Sequence, residues 1–224
     1  MPRLAQPSLE TSLAELATTR PGAANVFWRH GLDFCCHGQI ALGEACRARG
    51  LEAEELLEEL AAQGAERGFE RWDRRPLAEL VMHLLERYHA RHRADLPPLL
   101  EMARKVERVH AAKADVPRGL AELIARVADE LEQHMLKEEQ VLFPLILSGR
   151  GRMAGMPVQA MEREHEDHGR NLAALRALTH DHVPPAEACN TWRALYLGLA
   201  ELERELMQHI HLENNVLFPR ALRG

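Results

Sequence analysis

The strongest constraint on this chain is an internal repeat. Two segments 75 residues apart, His134-Met-Leu-Lys-Glu138-Glu-Gln-Val-Leu-Phe-Pro144 and His209-Ile-His-Leu-Glu213-Asn-Asn-Val-Leu-Phe-Pro219, place a histidine four residues before a glutamate and close on Val-Leu-Phe-Pro. On an α-helix, residues i and i+4 share one face, so an imidazole and a carboxylate can converge on one point. A single such pair is ordinarily two solvated neighbours. Here each pair also has a matched partner upstream: Glu86-x-x-His89-x-x-His92 before the first and Glu162-x-x-His165-x-x-His168 before the second. The region from residue 76 onward therefore reads as a duplicated helical hairpin. Two hairpins with short connections make an antiparallel four-helix bundle, whose interior is a usual place for metal ions held by facing helices.

Composition agrees with an all-α fold. The chain has 224 residues, 46% of them hydrophobic, 28% charged and only 4% aromatic. A Leu/Ala/Glu/Arg bias favours helix over sheet. A net charge of −6 gives no electrostatic support for nucleic-acid or anionic-membrane binding. No run of about 18 apolar residues offers a membrane span, and the first residues lack the apolar core of a signal peptide. The expected compartment is the cytoplasm, where the four cysteines stay mostly reduced.

Residues 1–64 read as a small helical unit. Ser12 and Glu15 have capping-box spacing for a helix from Leu13, Pro21 suits the next helix start, and Gly31 a stop. Further helices are expected at about 39–48 and 52–62, separated by Gly50. Residues 65–75 form the expected linker, with Phe69 and Trp72 able to dock on either unit. In the bundle, residues 76–224, helices are expected over 76–113 with a bend at Pro97-Pro98, 117–147, 157–179 and 187–217. Helices of thirty residues span about 45 Å, so residues 89, 134, 165 and 209 can meet at mid-bundle.

Four histidines and two carboxylates match neither a closed zinc site nor an all-oxygen calcium or magnesium site. They suit two iron or manganese ions with positions left open for water, O₂ or another small ligand. The expected arrangement has Glu138 and Glu213 bridging, with His89 and His134 at one end and His165 and His209 at the other. His92 and His168 are expected near the site without ligating. Glu86 and Glu162 are weighed as imidazole-orienting groups against surface residues, and Glu130 and Glu164 as an access path. Glu139 reads as a solvated neighbour, and His211 as turned away from the core. The adjacent Cys35 and Cys36 are thiol candidates for redox, NO or metal chemistry, weighed against two half-buried residues at a helix junction. Cys46 is close enough in sequence to join them, and Cys189 reads as unrelated.

The chain resembles the RIC family, "repair of iron centres". The resemblance covers nearly the whole length and rests on Asp33-Phe-Cys-Cys36, Arg87-Tyr-His-Ala-Arg-His-Arg93, Lys105-Val-Glu-Arg-Val-His110, the His134–Pro144 segment, Glu164-His165 and Leu212-Glu-Asn-Asn-Val-Leu-Phe-Pro-Arg-Ala-Leu222. It implies a hemerythrin-like bundle behind a short Cys-Cys domain, and a non-haem di-iron centre at His89, His134, Glu138, His165, His209 and Glu213. It further implies repair of iron–sulfur clusters damaged by nitrosative or oxidative stress through iron supply, with damaged iron–sulfur proteins as partners. NO or O₂ binding, sensing, or di-iron NO reduction are the alternatives. A monomer or homodimer is compatible with all of these. His37 departs from the glycine that often follows the cysteine pair in relatives.

Overall fold

The computed structural model describes residues 6–63 and 69–224. Among these the chain is helical, with a lone antiparallel bridge between Ser12 and Ala41 as its only β-type pairing. Four short helices come first: α1 (Leu13–Thr19), α2 (Ala23–Arg29), α3 (Leu42–Arg49) and α4 (Ala53–Ala62). Ser12 caps α1, its hydroxyl accepting from the Glu15 N–H at 3.1 Å. Gly31 and Gly50 take left-handed φ values of 65° and 66° just past α2 and α3, where a side chain would be strained. Leu13, Leu16, Val26, Phe27, Phe34, Leu42, Leu56 and Leu60 form the core of this unit.

The bundle is built from α5 (Leu77–His83) and α6 (Ala90–Val109), α7 (Leu120–Lys137) and α8 (Phe143–Leu147), α9 (Gly155–Thr179), and α10 (Asn190–Leu212) and α11 (Phe218–Arg223). α6 packs on α7, α7 on α9, and α10 on both α6 and α9. α6 runs continuously through Pro97 and Pro98, where the sequence suggests a bend. The irregularities fall instead at three π turns, Leu84–His89, Glu138–Leu142 and Glu213–Leu217, each beginning or ending on a residue of the repeat. The Val-Leu-Phe-Pro tails explain two of them. Proline has no N–H and its ring crowds the carbonyl four residues back. In the widened turn Phe143 N–H reaches back five residues to Glu138 O, and Phe218 N–H to Glu213 O. The repeat thus carries its own helix distortion beside its glutamate.

Of the expected linker, residues 65–68 lie outside the described residues. The rest is held on the bundle. Trp72 stacks on His83 with ring centroids 4.2 Å apart, and Arg220 donates to the carbonyls of Trp72 and Arg75. No helix among the described residues is long and apolar enough to cross a membrane.

Candidate metal centre

The six residues nominated by the repeat meet in the bundle interior, each at most 1% exposed. They form two overlapping groups: His89, Glu138, His209 and Glu213; and His134, Glu138, His165 and Glu213. Both glutamates belong to both groups, which is the placement a bridging carboxylate needs. The histidine pairing differs from the sequence expectation. His89 lies with His209, and His134 with His165, because α6 packs against α10 and α7 against α9. Each end of the centre therefore draws one histidine from each hairpin.

The separations are those of atoms arranged around a common cation. His165 Nε2 is 3.1 Å from His134 Nε2 and 3.2 Å from Glu213 Oε2; His209 Nε2 is 3.1 Å from Glu213 Oε1. His89 Nε2 and His134 Nε2 stand 3.4 and 3.5 Å from Glu138 Oε2. Bonds of about 2.1 Å at right angles would put neighbouring ligand atoms about 3 Å apart. Both oxygens of Glu138, Oε2 of Glu213 and Nε2 of His89 are buried without a hydrogen-bond partner among the described residues. Orphaned polar atoms in such a place are costly unless a cation satisfies them. The donor set fits a pair of iron ions.

Electrostatics show the same strain. Burial, and then the charge of Glu213, push Glu138 well above the usual carboxylate range. Glu213 is as deeply buried, yet His209 and His165 outweigh that and draw it well below. Two adjacent buried carboxylates cannot both ionise without a cation between them. Burial lowers His209 to about 4 and also lowers His134, so these imidazoles are neutral and free to donate a lone pair to a metal.

Hydrogen bonds behind the six residues fix ring orientation, and here sequence reasoning missed much. Glu139, expected to be solvated, lies 2.8 Å from His89 Nδ1 and is itself paired with Arg93. Glu164, expected on an access path, lies 3.0 Å from His134 Nδ1 and is paired with Lys137; these contacts hold it down at about 2. His165 Nδ1 is 2.7 Å from Asn214 Oδ1. His209 has no such support: its Nδ1 lacks a partner among the described residues, and its ring stacks on Tyr88 at 5.3 Å. Glu86 and Glu162, weighed as orienting groups, are exposed. A helix places the orienting carboxylate on a neighbouring helix as easily as one turn away, so i−3 spacing alone could not select it.

His92 and His168 are 1% and 2% exposed, and neither ring nitrogen of either finds a partner among the described residues. Each lies against a histidine of the centre, His92 on His209 at 5.3 Å and His168 on His134 at 5.0 Å between centroids. Burial lowers His168 to about 3. His168 also lines a surface cavity with Glu130, Gln133, Lys137, Glu164 and Asn171, where Glu130 accepts from Asn171 at 2.6 Å.

The amino-terminal unit contacts the second hairpin next to its ligands. Asn214 Nδ2 donates to Cys35 O, Asn215 Nδ2 reaches the carbonyls of Phe34 and Cys35, and Cys36 Sγ lies 3.6 Å from His165 O. His211 does turn from the metal centre, but into this interface rather than solvent: it is 3% exposed and bonded to Thr18 and to Phe34 O. Cys46 is buried in the core of the amino-terminal unit, away from Cys35 and Cys36. Cys189 Sγ sits 3.2 Å from His110 Nε2.

Residues 80–221 match the family described as hemerythrin HHE cation binding domain, and residues 9–63 match ScdA_N, a domain of unknown function. A protein named iron-sulfur cluster repair protein YtfE from Pectobacterium carotovorum is 50% identical over 218 residues, covering 96% of this chain and 98% of that protein. Its namesake from Yersinia pseudotuberculosis is 49% identical over 214 residues, covering 95% and 97%. The chain belongs to the YtfE family of hemerythrin-domain proteins. In this family member the hemerythrin domain contains all six converging residues, and the ScdA_N domain contains the cysteine pair.

Proposed function

We propose that this protein repairs iron–sulfur clusters damaged by nitrosative or oxidative stress, releasing iron to them from a di-iron centre held by His89, His134, Glu138, His165, His209 and Glu213. The observation that carries the reading is the pair of buried two-histidine, two-carboxylate groups sharing Glu138 and Glu213. Iron held there supplies redox-active, partly open coordination. The surrounding residues set how firmly it is held. Glu139, Glu164 and Asn214 orient His89, His134 and His165 and raise their basicity as ligands. His209 lacks that support, which makes the end formed by His89 and His209 the looser one. The names of the relatives support damaged iron–sulfur proteins as partners, and the cytoplasm, where such proteins are made, as the place of action.

A second reading, binding of NO or O₂, is favoured by His92 and His168. Their unpartnered nitrogens beside the centre offer hydrogen bonds to a small ligand, and His168 reaches a surface cavity. Iron analysis of the purified protein, followed by incubation with an NO-damaged iron–sulfur enzyme, tests both readings. Repair predicts about two irons per chain and a stoichiometric loss of that iron as the enzyme recovers. Recovery with the bundle iron retained, or zinc in place of iron, overturns the donation reading.

A further inference from the structure

We propose that Asp33, Cys35 and Cys36 form a second metal site, separate from the bundle centre, that binds a single thiophilic divalent cation. Both thiols are free, and their sulfurs lie 3.8 Å apart. A disulfide needs about 2 Å. Two sulfurs bound to one ion at about 2.3 Å, separated by the tetrahedral angle, stand about 3.8 Å apart. The thiol pair thus already has the bite of a chelate. Asp33 Oδ1 completes a three-point face, 3.2 Å from Cys35 Sγ, and the three ligand atoms all fall within 4.8 Å of one another.

The face is held from behind. His37 Nδ1 lies 2.7 Å from Asp33 Oδ2, the histidine–carboxylate contact that commonly fixes a metal-binding carboxylate. The backbone N–H groups of Cys35 and Cys36 both donate to Asp33 Oδ1. That turn explains the position of Asp33, but not two reduced sulfurs set side by side. Nor does it explain their access: Cys36 is half-buried and lines a surface cavity with Gln39, Glu162, Glu166 and Asn215, which leaves room for a fourth ligand from water or a partner. Binding balances without an oxidant or reductant. The cation replaces two thiol protons, giving a dithiolate complex and two protons released to solvent.

Thiolates select soft or borderline ions over magnesium and calcium. Ferrous iron is the assigned occupant, because Cys36 Sγ lies against the carbonyl of His165, a residue of the bundle centre, and also lines a surface cavity. That identity rests on the repair reading; the existence of the site does not.

The test is an anaerobic cobalt(II) titration of the full-length, iron-loaded protein. The expected result is one further equivalent per chain, with a sulfur-to-cobalt charge-transfer absorption and no loss of bundle iron. Cys36→Ser alone and the Cys35→Ser/Cys36→Ser double variant lose that absorption, and Cys189→Ser retains it. Asp33→Asn weakens cobalt binding about tenfold or more. Ferrous iron added in competition bleaches the band. No absorption in the native chain, or absorption surviving in the double variant, overturns the site. Displacement by zinc but not by ferrous iron overturns the assigned occupant. Bundle protein found without iron but still showing the cobalt–thiolate band sinks the repair reading while this site stands.

Discussion

The two hairpins carry the same ligand spacing but are not equivalent, and the difference lies in single residues beside the ligands. After its glutamate the first hairpin has Glu139, whose carboxylate turns to His89 and Arg93. The second has Asn214 at the matching position. Its amide faces both ways, towards His165 through oxygen and towards Cys35 O through nitrogen. A carboxylate can only accept, so it needs Arg93 to balance it; an amide can accept from a ligand and donate to a neighbouring domain at once. The hairpin that meets the amino-terminal unit has the amide. Before their upstream histidines the hairpins diverge again. Glu164 supports His134 by a charged hydrogen bond, whereas Tyr88 offers His209 only a stacked face. Duplicated chemistry was thus given one firm end and one loose end.

The harshest way to break the comparison removes what both halves share. Glu138→Ala or Glu213→Ala should each empty the whole centre, since each carboxylate serves both groups. Iron analysis showing full loading in both variants would defeat the assignment. Sharper discrimination comes from the ends. Timed extraction by a chelator should be biphasic in the native protein, and Glu164→Gln should accelerate the slow phase by about 10–100-fold, the usual loss when a ligand's supporting partner is removed. A single phase unaffected by Glu164→Gln would mean the two ends are equally held.

Asn214→Asp should loosen, without breaking, the contact of the hairpin with the amino-terminal unit while leaving His165 an acceptor. The lost donor to Cys35 O costs about 1 kcal/mol of stability, and cleavage of residues 6–63 by a protease should quicken, with iron content little changed. Loss of iron in this variant would instead make the amide's donor side essential to the centre.

Acid should reveal the interface most gently. His211 is fully buried there and burial lowers it to about 4. The unfolded chain, with an ordinary histidine near 6.5, takes up a proton that the folded chain refuses. Stability from this group is therefore full above pH 6.5 and declines as pH falls towards 4. In metal-free protein, His211→Asn should flatten the dependence of melting temperature on pH across that window. An unchanged slope would shift the effect to the bundle histidines, whose burial acts in the same direction.

Much of the fold could be read from the chain. Ser12, Gly31 and Gly50 mark helix boundaries through capping and left-handed geometry that hold in any context, and the repeat announced a bundle. Four of the six candidate ligands were legible because i+4 spacing is a local property of a helix, and His89 and His165 because the same upstream pattern precedes each pair. Pro97-Pro98 did not end α6, which continues through both prolines. Which histidine faces which was not legible either. The pairing of His89 with His209 follows from α6 lying on α10, and spacing along the chain carries no information about which helices become neighbours.

The supporting residues separate the two levels most clearly. In both repeats the proline of Val-Leu-Phe-Pro, which lacks an N–H, follows the widened turn that begins at the glutamate. Sequence by itself thus named the six residues that converge, through the repeat and its spacing. Only the tertiary structure decided that Glu139, Glu164 and Asn214 stand behind the ligands, that His209 stands unsupported, and that the Cys35–Cys36 loop is held against His165. Those contacts join residues from 30 to 129 positions apart; a hydrogen bond is specified by where two groups end up in space, which is fixed only when the helices and the amino-terminal unit pack together.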